Sequence, residues 1–213
     1  MVDDRQAVLN LGKDMFTLYL ILFGLLVFVS GALILGTWLR GHRSKENAEK
    51  ASRVMHFLFF AFMVVPPIVG LFYPGLNHFD ELVGLKSMPW KPFFLVLGIS
   101  LAIPGLYFLG ITNKLLRSLG SGTNAFILTK KIVADDIYKR TRNPMSLGFY
   151  LFALALGFAS NSTFTLLAVS LGLIPAHIFF LKYFEELELE LRFGESYLEY
   201  KRDVPFLIPK LRF

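Results

Sequence analysis

Between Asp14 and Arg40 the chain carries no charged side chain, only an unbroken apolar run. A helix of roughly 20 apolar residues crosses about 30 Å of hydrocarbon, so residues 15–39 read as a membrane span. The pattern recurs four times. Residues 57–73 form a second apolar block with Pro66-Pro67 inside it, a pair that predicts a kink whose freed carbonyls must find partners in a helix bundle. Residues 92–111 form a third, with a proline near its start and Pro104-Gly105 within. Residues 147–159 and 164–181 form the fourth and fifth, and the short turn at 160–163 between them makes them a helical hairpin. With 54% hydrophobic residues and 23 phenylalanines in 213 positions, the expected fold is all-α. We read a polytopic membrane protein of about five transmembrane helices, ending in a cytoplasmic amphipathic helix.

Lysine and arginine fix the expected orientation. Arg40, Arg43, Lys45, Lys50 and Arg53 follow the first span, Lys114 to Arg142 follow the third, and Lys182 to Arg212 follow the fifth. Only Arg5, Lys13, Lys86 and Lys91 fall opposite. The N-terminus is therefore expected outside, with the 112–146 segment and the tail in the cytoplasm. The start of the chain, mixed in charge before a long apolar run, does not read as a signal peptide. The net charge of +6 flanks apolar blocks instead of forming a stripe, which points to a lipid surface and away from nucleic acid. No cysteine is present, and His42, His56, His78 and His177 lack metal-ligand spacing, so no metal site is expected. No obligate protein partner is evident. The whole chain, 1–213, reads as one membrane domain: three N-terminal spans over 1–111, then a loop, a hairpin and a C-terminal helix over 112–213.

Two short stretches carry chemistry. In KRTRNPMSLG, residues 139–148, Asn143 is a good helix N-cap and Pro144 suits the first helical position. Arg140 and Arg142 can anchor the helix at the membrane surface, while a helix start beside an arginine is also a site for a carboxylate or phosphate. If the hairpin returns antiparallel, Glu185 and Glu186 arrive near the layer of Arg142. Phe180, Phe184, Leu187 and Leu191 share one helical stripe, Glu188 and Arg192 pair at i,i+4, and Gly194 can end the helix. Glu188, Glu190, Glu195 and Glu199 read as a solvated acidic face. The adjacent pair Glu185-Glu186 reads as a polar binding element.

Tyr138, then Arg142-Asn143-Pro144-Met145 opening a membrane hairpin, then Glu185-Glu186, then FGESYLEYKRDVPFLIP form an ordered set over roughly 112–209. That set resembles the isoprenylcysteine carboxyl methyltransferase family and is similar to the related phospholipid N-methyltransferases. Three positions depart from the family pattern: Asn143 stands where histidine is common, Ser146 where an aromatic usually follows Pro-Met, and Asp135-Asp136 where a glycine-containing pair is usual. The resemblance implies an integral membrane enzyme with S-adenosylmethionine as its cofactor, bound at the cytoplasmic face. Its substrate would be a lipophilic or lipid-linked acceptor that arrives from the membrane lipid.

On that resemblance the cofactor-binding residues are Gly120, Gly122, Tyr138, Arg142, Asn143, Pro144, Glu185 and Glu186, with Arg142 and Glu186 also catalytic. Arg142 and the helix start would hold the carboxylate, and Glu185 or Glu186 the ammonium or the ribose hydroxyls. Gly120 and Gly122 would let backbone N–H groups approach, or are a flexible turn. Tyr138 would stack on the adenine, or is an interfacial aromatic. Glu186, Asp136 or His177 could take a proton from an amine or thiol acceptor. A reductase binding NADPH, as in membrane sterol reductases, and a non-enzymatic membrane protein keeping the hairpin are the competing readings.

Overall fold

The computed structural model describes residues 4–119 and 132–209. Among them every regular element is helical. Helix α1 runs over Asp4–Gly41, α2 over Lys45–Phe72, α4 over Lys91–Leu119 and α6 over Thr163–Phe193. Each of these four contains a stretch long and apolar enough to cross a membrane. Between them lie the short helix α3, His78–Leu82, and α5, Pro144–Ala159, which is apolar but shorter. Helix α7, Glu195–Asp203, comes after α6. Phe16, Phe23, Leu26 and Ile34 on α1, and Phe93, Val96, Ile103 and Leu106 on α4, are exposed. Such bands are untenable in water and ordinary against lipid.

The first three spans are longer than the apolar blocks predict, the first because its helix already begins at Asp4. The second begins at Lys45, so the expected connection shrinks to the turn at 42–44 and Lys45, Lys50 and Arg53 lie along a helix. The local causes are plain. The Ser44 hydroxyl accepts from the Asn47 N–H at 3.1 Å, Glu46 pairs with Lys50 at 2.7 Å, and Ala48, Ala51, Ser52 and Met55 bury one face at helical spacing. The third continues past 111 to Leu119, with Thr112 fully buried and donating to the Phe108 carbonyl at 2.6 Å.

Prolines leave a visible mark. A wide, π-type turn at Phe59–Val64 precedes Pro66-Pro67, and another at Ala168–Leu173 precedes Pro175. A proline ring cannot donate to the i−4 carbonyl and crowds it, so the helix widens in the preceding turn. A third such turn, Leu181–Glu185, contains no proline and delivers the two glutamates of interest.

Two packing units hold the bundle. Phe28, Leu39, Ala48, Met55, Phe180 and Phe184 form a buried core where α1, α2 and α6 meet. Helices α4 and α5 pack closely as a pair, because a Cβ at Gly105 would lie 2.9 Å from the Phe152 nitrogen and one at Gly148 2.9 Å from the Gly105 carbonyl. Such small-residue contact replaces hydrophobic driving force between helices in lipid. No extended packing joins α2 to α4, and the space between them is a cavity.

The face bearing α3 is pinned by a carboxylate. Asp80, 1% exposed, accepts from the Thr163 N–H at 3.0 Å, the Phe164 N–H at 2.5 Å and the Ser162 hydroxyl at 3.3 Å. One short helix thus caps the N-terminus of α6, where the dipole favours negative charge. Asp80→Ala is expected to lower stability by about 3 kcal/mol, as buried N–H groups lose a charged partner. Asp80→Asn should lose about half as much, and thermal unfolding in detergent measures both.

Candidate functional site

On the opposite face three segments are laced together. Beyond α7 the residues around Pro205 run across the loop before α5. The Arg142 N–H donates to the Pro205 carbonyl at 2.9 Å, the Thr141 hydroxyl to the Leu207 carbonyl at 2.9 Å, and the Asn143 side-chain amide to the Phe206 carbonyl at 2.9 Å. The Tyr200 hydroxyl donates to the Tyr138 carbonyl at 2.8 Å. Asn143 does occupy the N-cap position, and its carbonyl accepts from Leu147 at 3.0 Å, but its side chain makes no capping bond and holds the C-terminal strap instead.

This lacing buries Arg142, whose side chain is 8% exposed. One terminal nitrogen, Nη2, lies 3.2 Å from the Glu186 carboxylate. Nε and Nη1 are buried and have no hydrogen-bond partner among the described residues. Buried guanidinium donors are rarely left unmatched, since the desolvation is uncompensated. Glu186 is compensated by several cations: Lys201 donates to its other oxygen at 2.9 Å, and Lys182 stands 4.0 Å away. Burial alone would lower the Lys201 pKa, but hydrogen bonds to Glu190 and Glu186 outweigh it and hold that ammonium above its usual range. Glu185, one residue earlier, makes no hydrogen bond or salt bridge among the described residues and lines the same cavity.

The cavity has a volume of about 430 Å3, within the roughly 300–1,000 Å3 of small-molecule sites. Tyr138, Arg142, Asn143, Pro144, Glu185 and Glu186 all line it. Gly120 and Gly122 lie outside the described residues. Asp136 is exposed and is not part of the wall, whereas His177 is. Burial pushes the Tyr138, Tyr197 and Tyr200 phenols upward, with Glu185 adding to the effect at Tyr138 and Glu186 and Glu185 at Tyr197, so all three remain neutral donors.

Several wall residues were not foreseen. Ser52, Met55 and His56 come from α2, which carried no recognisable motif, and Tyr197 and Tyr200 come from α7. Phe206, in the strap and outside the cavity wall, sits 3.9 Å from the Lys182 ammonium and 5.8 Å from the Arg142 guanidinium, measured to its ring centre. The apolar VPFLIP run after a polar helix was its available signal. Glu188 corrects the expectation of a solvated face: it is 2% exposed and locked to Arg192 at 2.6 Å. Glu190 is half-buried against Lys201 at 2.7 Å, while Glu195 and Glu199 are exposed as expected.

A multispanning helical protein with a charged cavity at one membrane face is the class defined by this fold and site. Residues 93–196 match the family described as phospholipid methyltransferase. That match supports a membrane methyltransferase. The matched segment spans α4, α5 and α6 and includes Arg142 and both glutamates; the strap and α2 lie beyond it. No curated protein and no solved structure matches the chain.

Proposed function

We propose that the protein transfers a methyl group from S-adenosylmethionine to a lipophilic or lipid-linked acceptor, with its cavity facing the cytoplasm. One observation carries the reading: Arg142 Nε and Nη1 and Glu186 Oε1 are buried without hydrogen-bond partners among the described residues, and Glu185 lines the same cavity with no hydrogen bond or salt bridge there. Unmatched donors and unmatched carboxyl oxygens in one recess suit a zwitterion, and the methionine moiety carries a carboxylate and an ammonium. Arg142 and the α5 start would take the carboxylate, and Glu185 the ammonium. Glu186, already bound to Arg142 and Lys201, would keep the guanidinium oriented and offer its remaining acceptor capacity to the ribose hydroxyls. Tyr138 and the nearby aromatic rings would offer faces to the adenine and to the sulfonium. Gly120 and Gly122 remain proposed backbone contacts.

When bound, this cofactor supplies an electrophilic methyl group. The chain's own part is to align the acceptor and exclude water, which the strap and the buried wall are suited to do. The cytoplasmic assignment is supported by the concentration of lysine and arginine on this face. The missing packing between α2 and α4 supports lateral access for the acceptor from the bilayer.

Calorimetry on the purified protein in detergent tests this. S-adenosylhomocysteine is expected to bind and NADPH not to. Binding of NADPH alone would replace the reading with a reductase, and binding of neither would make the cavity non-catalytic.

A further inference from the structure

The membrane-buried end of the cavity holds one polar side chain with an unusual surrounding. His177 lies on α6 about 13 Å along the helix from Glu186, at roughly 1.5 Å per residue. It is 6% exposed, and the rings of Phe59, Phe149 and Phe180 stand 5.1, 6.0 and 5.6 Å from its own. Its Nδ1 shares a hydrogen bond of 2.9 Å with the hydroxyl of Tyr150, itself 4% exposed. Nε2 has no hydrogen bond among the described residues, yet it is not among the buried atoms sealed without a partner. Since His177 lines the cavity and Tyr150 does not, Nε2 is the atom that looks into it.

An ionisable residue inside a span, fixed at one nitrogen and open at the other, is arranged to meet something. The neighbouring wall states what. Phe59, Phe60, Val64, Leu109, Phe149 and Phe180 are all apolar, while the arginines and glutamates cluster at the other end. A phosphate, carboxylate or zwitterionic head at this depth would be desolvated with no countercharge. A neutral molecule with a single polar hydrogen would not.

We propose that His177, positioned by Tyr150, is the acceptor-binding group: its Nε2 receives the hydrogen of a neutral O–H, S–H or N–H on an otherwise apolar substrate. This rests on the methyltransferase reading and names the substrate class within it. The tautomer that suits the role has Nδ1–H donating to the Tyr150 oxygen and the Nε2 lone pair turned to the cavity. Nε2 then takes the proton that the substrate heteroatom loses as it bonds to the methyl carbon, while the electron pair of the broken carbon–sulfur bond stays with sulfur. The imidazolium so formed returns its proton to water after product release.

The full-length protein in detergent can be titrated with 4-octylphenol, octylbenzene and decanoate, and separately with S-adenosylhomocysteine. Octylphenol is expected to bind at least about tenfold tighter than octylbenzene, and more tightly than decanoate. His177→Phe should erase the phenol preference and leave S-adenosylhomocysteine affinity within about twofold, and His177→Gln should restore part of the preference. With nitrogen-15 histidine in the unmutated protein, octylphenol and not octylbenzene should shift an Nε2 resonance, which keeps the test open should a variant fail to fold. Equal binding of phenol and hydrocarbon, a preference surviving in a folded His177→Phe, or tighter binding of decanoate would overturn the inference while S-adenosylhomocysteine binding stands. Failure of S-adenosylhomocysteine to bind the unmutated protein would overturn both.

Discussion

Arg142→Ala is expected to weaken S-adenosylhomocysteine binding by on the order of a hundredfold, the loss of about two charge-assisted hydrogen bonds to a carboxylate. The protein should still accumulate in membranes. Glu186 keeps Lys201 at 2.9 Å and Lys182 at 4.0 Å, so no buried charge is left alone. The bond from the Arg142 N–H to the Pro205 carbonyl belongs to the backbone and survives the change. Arg142→Lys should recover little, because the two unmatched donors form a planar fork that an ammonium cannot reproduce. Glu186→Ala should act more mildly, by about tenfold, through loss of the guanidinium's orientation. Calorimetric titration of the variants in one detergent measures the series; unchanged affinity in Arg142→Ala would return that residue to membrane anchoring.

The second large effect concerns folding. Glu188 and Arg192, with side chains 3% and 6% exposed and 2.6 Å apart, form a buried pair at the junction of α6 with α2. Glu188→Ala removes the buried carboxylate from beside the arginine and is expected to cost about 3–5 kcal/mol. Replacing the two together, Glu188→Leu with Arg192→Met, should recover part of that loss, because the desolvation of both charges disappears with them. Thermal unfolding of the single and double variants gives the comparison. A Glu188→Ala protein as stable as the parent would mean that water reaches this pair.

That pair also marks where the sequence ceased to be informative. The spacing of Glu188 and Arg192 predicts their partnership, and it formed. Their exposure could not be read, because facing depends on helix phase, and wide turns at Ala168–Leu173 and Leu181–Glu185 each rotate the downstream residues by about 100° relative to a regular helix. The apolar runs gave the spans because lipid demands them locally. Their lengths beyond the apolar blocks, as at Lys45, depended on a serine cap and an amphipathic face.

Arg142 and the Glu185-Glu186 pair were legible as a site because a proline-started helix and an antiparallel return place them at one depth. The strap's contacts were not, since its backbone carbonyls accept the bonds from Thr141, Arg142 and Asn143, and the apolar side chains of residues 204–209 do not say where those carbonyls dock. Asn143 illustrates the limit well: a residue that favours capping was used instead to tie down the strap, a choice made by tertiary contact.

Membranes containing the protein, incubated with S-adenosylmethionine labelled at the methyl carbon and then extracted with organic solvent, give the most direct test. The label should enter the lipid-soluble fraction, above the level in membranes lacking the protein, and Arg142→Ala should abolish the gain. Label that stays in the aqueous phase with the folded parent protein, or that enters lipid equally with Arg142→Ala, would contradict the account.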